Sequence, residues 1–188
     1  MVKTTYEYKV EQFHAEIKEK IANVTNDYSA IDSAIFYKKD LLYKQLAEKY
    51  IEDKDVRFSI KTALLQNEYK SDLAKKLDLK LQNEFPELKI NFAVMLNQFV
   101  VYNNIKKADT LFAEKPLIGN KLYGDLTSLD NAFFIRHYVG TTSATNLKSD
   151  YKLLTEDSLY VSVQDWEFIV WERMTLILAL ALFSILTL

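Results

Sequence analysis

Imidazole is the side chain best suited to moving protons near neutral pH, and this chain carries two, His14 and His137. His14 stands beside Phe13 at the border of a helical apolar stripe, where a packing or surface histidine belongs. His137, in Phe133-Phe134-Ile135-Arg136-His137-Tyr138, has Arg136 as a polar neighbour but no Ser or Cys at a nucleophile-motif spacing. A small helical enzyme or ligand-binding protein, the alternative reading, would place its site near Arg136 and His137, together with Asp130 and Tyr138. The chain has no Cys, which excludes disulfides, thiolate metal sites and cysteine nucleophiles. Two histidines cannot complete a structural zinc site without several carboxylates. No Gly-x-Ser-x-Gly, His-Glu-x-x-His, EF-hand or Walker pattern occurs. We therefore expect a non-enzymatic chain with no catalytic residue, no cofactor and no metal.

Two further groups of polar residues have ordinary explanations. Asp150, Glu156 and Asp157 read as an acidic patch in a solvated loop. Tyr37-Lys38-Lys39 and Tyr43-Lys44 interleave aromatics with cations, as base-stacking surfaces do. A formal net charge of −2 and a pI of about 5.8 supply no field for nucleic acid, so none is expected as a partner.

The elements that hold these residues follow from chain breakers and periodicity. The 188 residues include 3 Gly and 2 Pro, too few for a sandwich or barrel of many short strands or for a glycine-rich phosphate loop. Val10, Phe13, Ile17, Ile21 and Val24 share one helical face, better suited to packing within the chain than to a coiled-coil seam. A second stripe, Ile31, Ile35, Leu42 and Leu46, follows a cap at Asp27 or Ser29. Val56, Ile60 and Leu64 mark a third helix. Ser71 caps a fourth, carrying Leu73, Leu77 and Leu81 up to Pro86. Leu88 to Tyr102 alternates like a strand at first, but its unbroken apolar length favours a buried helix. After Pro116 the three glycines and clustered Asn, Asp, Thr and Ser suggest irregular structure. Phe133–Val139 reads as a short strand or a helical turn, and Leu159–Val163 as β-prone.

The C-terminal segment differs from all of these. Residues 174–188 carry no charge, and Trp166, Phe168 and Trp171 precede them with Arg173. A helix apolar all round must be enclosed by protein or lipid. The tryptophans and arginine would suit an interfacial belt, although the uncharged part reaches only about 22 Å against a hydrocarbon core near 30 Å.

The expected fold is mainly α: a helical body over 1–115, an irregular region with a candidate short β element over 116–164, and an apolar helix over 165–188. The expected function is a structural subunit of a larger assembly, docked to other protein subunits through that helix. Its docking residues would be Trp166, Phe168, Trp171, Arg173, Met174, Leu176, Ile177, Leu180, Phe183 and Leu186. Two settings fit: a tail-anchored subunit of a membrane complex, with 168–188 in the bilayer and the body on the cytoplasmic side, or a component of a virion. The N-terminus shows no signal peptide.

Overall fold

The structure, a computed structural model, describes residues 2–26, 32–66, 69–102, 107–145 and 150–186. Four helices come first: α1 (Val2–Val24), α2 (Ser33–Glu52), α3 (Arg57–Leu65) and α4 (Lys70–Glu84). The first stripe packs as its spacing implies, with Phe13, Ile17 and Ile21 fully buried in the chain's own core. Asp32 starts α2, its Oδ1 accepting from the amides of Ala34 and Ile35 at 3.1 Å each. That satisfies donors a helix start leaves orphaned. The caps expected at Asp27 and Ser29, and Ile31 of the second stripe, lie outside the described residues. Helix α4 begins at Lys70 with no side-chain cap, so Ser71 sits inside the first turn rather than capping it.

The second half of the chain is a sheet, and the mainly α expectation is wrong. Strands β1 (Ile90–Tyr102), β2 (Ala108–Ala113), β3 (Lys121–Gly124), β4 (Phe133–Thr145) and β5 (Asp150–Val163) form one antiparallel sheet. Its order is β2-β1-β5-β4, with β3 also pairing with β1. Leu88–Tyr102 misleads because β1 is the central strand and is covered on both faces. Phe92, Val94 and Leu96 meet the helices, while Ala93 and Met95 pack on the far side with Leu126. A strand buried on both faces loses the alternation that distinguishes it from a buried helix.

The region expected to be irregular holds the long hairpin β4–β5, paired from Phe133↔Val161 to Thr145↔Asp150. Gly140 is part of that strand rather than a turn. A Cβ at this position would sit 2.7 Å from Thr155 Oγ1, so glycine leaves room for the Thr155 hydroxyl. Gly124 ends β3 at φ +110°, in the region that favours glycine. Asp125 Oδ1 then accepts from the Phe92 amide at 2.9 Å, which seals the turn onto β1. The helices cover one face of the sheet. Part of the other face is covered by the segment after β2, through Leu126 with Ile118, Leu129 and Ala132. The chain closes with α5 (Trp166–Leu186).

Candidate functional site

Helix α5 opens directly after β5. Asp165 takes a left-handed φ of 54°, and its carbonyl accepts the amides of Phe168 and Ile169. The first turns of α5 lie against α1. Val170 and Met174 are buried, and Trp166 is half-buried with its ring edge on His14 at 4.8 Å. His14 also stacks on Phe133 at 5.7 Å, and burial pulls its imidazole below the ordinary range. A neutral ring inside an aromatic cluster is a packing element. Trp171 stacks on Tyr6 at 5.1 Å and 28°. The Arg173 guanidinium lies 5.4 Å from the Phe13 ring, while its Nη1 donates to Glu16 Oε2 at 3.1 Å. A hydrogen bond from Lys20 on the same helix is the main reason the Glu16 carboxyl lies below its usual range; burial opposes it, and Arg173 adds a smaller lowering contribution.

These contacts correct the membrane-anchor expectation. Residues assigned to an interfacial belt bind the protein's own first helix, and Glu167, Glu172 and Arg173 occupy the opening turns. Among the described residues, no helix is long and apolar enough to cross a membrane. Of the expected docking residues, Trp166, Arg173 and Met174 face or clasp the body. Phe168 and Trp171 remain 69% and 48% exposed. With Thr175 and Ala179, also exposed, they make a row at 3-4-4 spacing along one side of α5. The side chains of Leu176, Ile177, Leu180, Phe183 and Leu186 lie outside the described part. A groove of about 160 Å³ between α1 and α5, edged by Lys20, Glu87, Glu172 and Arg173, is smaller than the roughly 300–1,000 Å³ of ligand pockets.

The alternative site does not come together. Strand alternation turns Arg136 and Tyr138 toward the helices and His137 to the opposite face. Arg136 donates to Asn26 Oδ1 at 2.7 Å, and the Tyr138 hydroxyl donates to the Thr25 carbonyl at 3.1 Å, so both tie β4 to the end of α1. Asp130 is occupied by the Ser128 hydroxyl at 2.7 Å, in the loop before β4. His137 Nδ1 lies 2.9 Å from Glu156 Oε1 and pairs across the strands with Ser158. Ser, His and Glu are the residue types of a hydrolase triad. Here, however, Ser158 is fully buried and its Oγ accepts a hydrogen bond from Asn97 Nδ2. A nucleophile in that state presents nothing to a substrate. Among the described residues, no three His, Asp or Glu side chains converge as a metal site requires.

The most unusual electrostatic feature was missed by the sequence reading. Asp157, expected in a solvated patch, is buried on the helix-facing side of β5 and takes Lys39 Nζ on Oδ2 at 2.6 Å. Around them stand the buried tyrosines Tyr43, Tyr69 and Tyr123. Their phenols are held above the ordinary range first by burial and then by neighbouring groups, Asp157 among them in each case. Lys39 and Tyr43 are thus core residues and present no base-stacking surface, whereas Tyr37 is exposed. One signal was available. Lys39 and Tyr43 fall on the same face of α2 as Ile35 and Leu46, inside the apolar stripe.

No protein-family model, no curated protein and no solved structure matches this chain.

Proposed function

We propose that the chain is a non-enzymatic structural subunit that docks into a larger protein assembly through α5, as in a multi-chain particle such as a virion. The observation that carries the reading is the division of α5. Its opening turns are clasped to α1 by Val170, which lies beside Phe13, and by the Arg173–Glu16 pair. The same helix turns Phe168 outward and leaves the outer side of Trp171, stacked on Tyr6, open to solvent in line with Thr175 and Ala179. The sequence from 174 to 188 carries no charge. Exposed aromatics in an uncharged row suit a protein partner, where they supply much of the binding energy. The occupied polar groups around His137 support the non-enzymatic half of the reading.

The test is a chain shortened by residues 176–188, compared with the full chain in the cells that make it. The shortened body should keep its circular dichroism and melting temperature and lose its place in high-mass complexes resolved by light scattering. A shortened chain that unfolds would assign the segment to its own core. A full chain that is monomeric in those cells would also overturn the reading.

A further inference from the structure

Strand β4 lies at the edge of the sheet and is 13 residues long, against about 5 to 6 for an ordinary strand. Helix α1 shields its first half. His14 stacks on Phe133, Lys18 Nζ lies 5.6 Å from the Phe134 ring, and Thr25 and Asn26 receive Tyr138 and Arg136. Asn26 closes that arm of described chain level with Tyr138. From Val139 to Thr145, among the described residues, the backbone pairs with β5 alone.

An edge that no other described residue pairs with invites another strand, and proteins commonly guard such edges with Lys, Pro, a bulge or brevity. Val139-Gly140-Thr141-Thr142-Ser143-Ala144-Thr145 has no charge and no Pro. The bulge in the β4–β5 pairing falls between Phe134 and Arg136, under α1 and away from the free half. Val139 is 62% exposed. We propose that this half-edge is an interface for a second copy of the chain, pairing antiparallel about a two-fold axis at Thr142.

Charge argues for self-pairing. A two-fold contact sets each patch against its own reversed copy, so a net charge in the patch would meet a patch of the same sign. Seven neutral residues, small or β-branched except for an extended glycine, meet their own reversed sequence without repulsion. In this register Val139 faces Thr145 of the other copy, Gly140 faces Ala144, and Thr141 faces Ser143. The two sheets become one. The paired length is about 23 Å at 3.3 Å per residue, and an interface this narrow falls below the size of stable dimers. The dimer is therefore weak and exchanges with monomer as concentration changes. The contact is independent of α5 and stands whether or not the docking reading does.

The absence of Cys makes the test direct. Thr142→Cys in the full chain places one thiol at the proposed axis, and Phe58→Cys, at a position 88% exposed on α3, serves as the control. Under mild oxidant the Thr142→Cys chain should form a disulfide-linked dimer at least tenfold faster than the control. A spin label at residue 142 should report a partner within about 20 Å that dilution removes. Thr141→Lys should abolish both signals, and so should Thr141→Glu. An equimolar mixture of the two should restore them, because diagonal cross-strand neighbours about 7–8 Å apart are within reach of long side chains. An isolated label at high concentration, or pairing that survives Thr141→Lys, overturns the proposal.

Discussion

Lys39 Nζ on α2 meets Asp157 Oδ2 on β5 at 2.6 Å, with the two side chains 8% and 2% exposed. The ammonium also lies over the rings of Phe36 and Tyr43, at 5.6 and 5.2 Å. This buried pair fixes one position of α2 on the sheet. Removing one partner leaves the other charge uncompensated in the core. Lys39→Met should therefore cost about 3–5 kcal/mol, and Asp157→Leu a similar amount. The double variant should recover much of the loss, since an apolar pair of similar volume carries no desolvation cost. Urea denaturation midpoints measure all three. A Lys39→Met chain within about 1 kcal/mol of the parent would contradict this account.

Alkaline titration probes the same cluster. Burial, with a smaller contribution from Asp157, raises the Tyr43 and Tyr123 phenols above their ordinary value of 10.0. A raised folded-state pKa means these groups support folding fully below pH 10, and that support falls as pH rises toward the folded value. Absorbance at 295 nm should thus rise in two stages: the exposed tyrosines first, the buried ones together with loss of circular dichroism. Complete tyrosine ionisation with the fold intact would show that the cluster admits solvent.

Glycine has opposite meanings at two positions. At Gly124, with φ +110°, a Cβ would stand 2.9 Å from Ala93 Cα and closer still to the Phe92 carbonyl. Gly124→Ala should destabilise by about 2 kcal/mol or more. At Gly119 nothing lies within 4 Å of the same Cβ, so Gly119→Ala should stay within about 0.5 kcal/mol of the parent. Thermal melts of the two variants side by side test this, and equal losses would contradict it.

The clasp of α5 on α1 should respond to acid. Lowered chiefly by Lys20 within α1 and in smaller part by Arg173 of α5, the Glu16 pKa means that its contribution is present above the ordinary carboxylate value of 4.5 and disappears as pH falls through the lower folded value. The pair is partly solvated, so Glu16→Gln should change global stability by no more than about 1 kcal/mol. Local opening should be plainer. In a Trp166→Phe background, the fluorescence of Trp171 should become more accessible to acrylamide in Glu16→Gln at neutral pH, and in the parent only under strong acid. Quenching that is indifferent to both changes would remove Glu16 from the clasp.

Helices α1 to α4 were legible because each buries one face and exposes the other, so a stripe such as Phe13–Ile17–Ile21 survives in the residue order. Strand β1 was not, because both of its faces are covered and the alternation from Leu88 to Leu96 is submerged in an apolar run long enough for a buried helix. Strands β4 and β5 showed only at one end, in Phe133–Val139 and Leu159–Val163, and their other halves were hidden for the opposite reason. Thr141, Thr142 and Ser143 resemble a turn, and Glu156 and Asp157 resemble a loop, until β-pairing assigns one carboxylate to His137 and the other to Lys39.

The shortage of Gly and Pro, with the absence of Cys, determined by itself that the chain is built from few, long elements with few tight turns and no disulfide. Long helices meet that requirement, and so do strands of 13, 13 and 14 residues. Tertiary structure decided between them, because the α2–sheet packing, the β4–β5 register and the seat of α5 on α1 join residues far apart in sequence. Such pairings leave no local period in the chain.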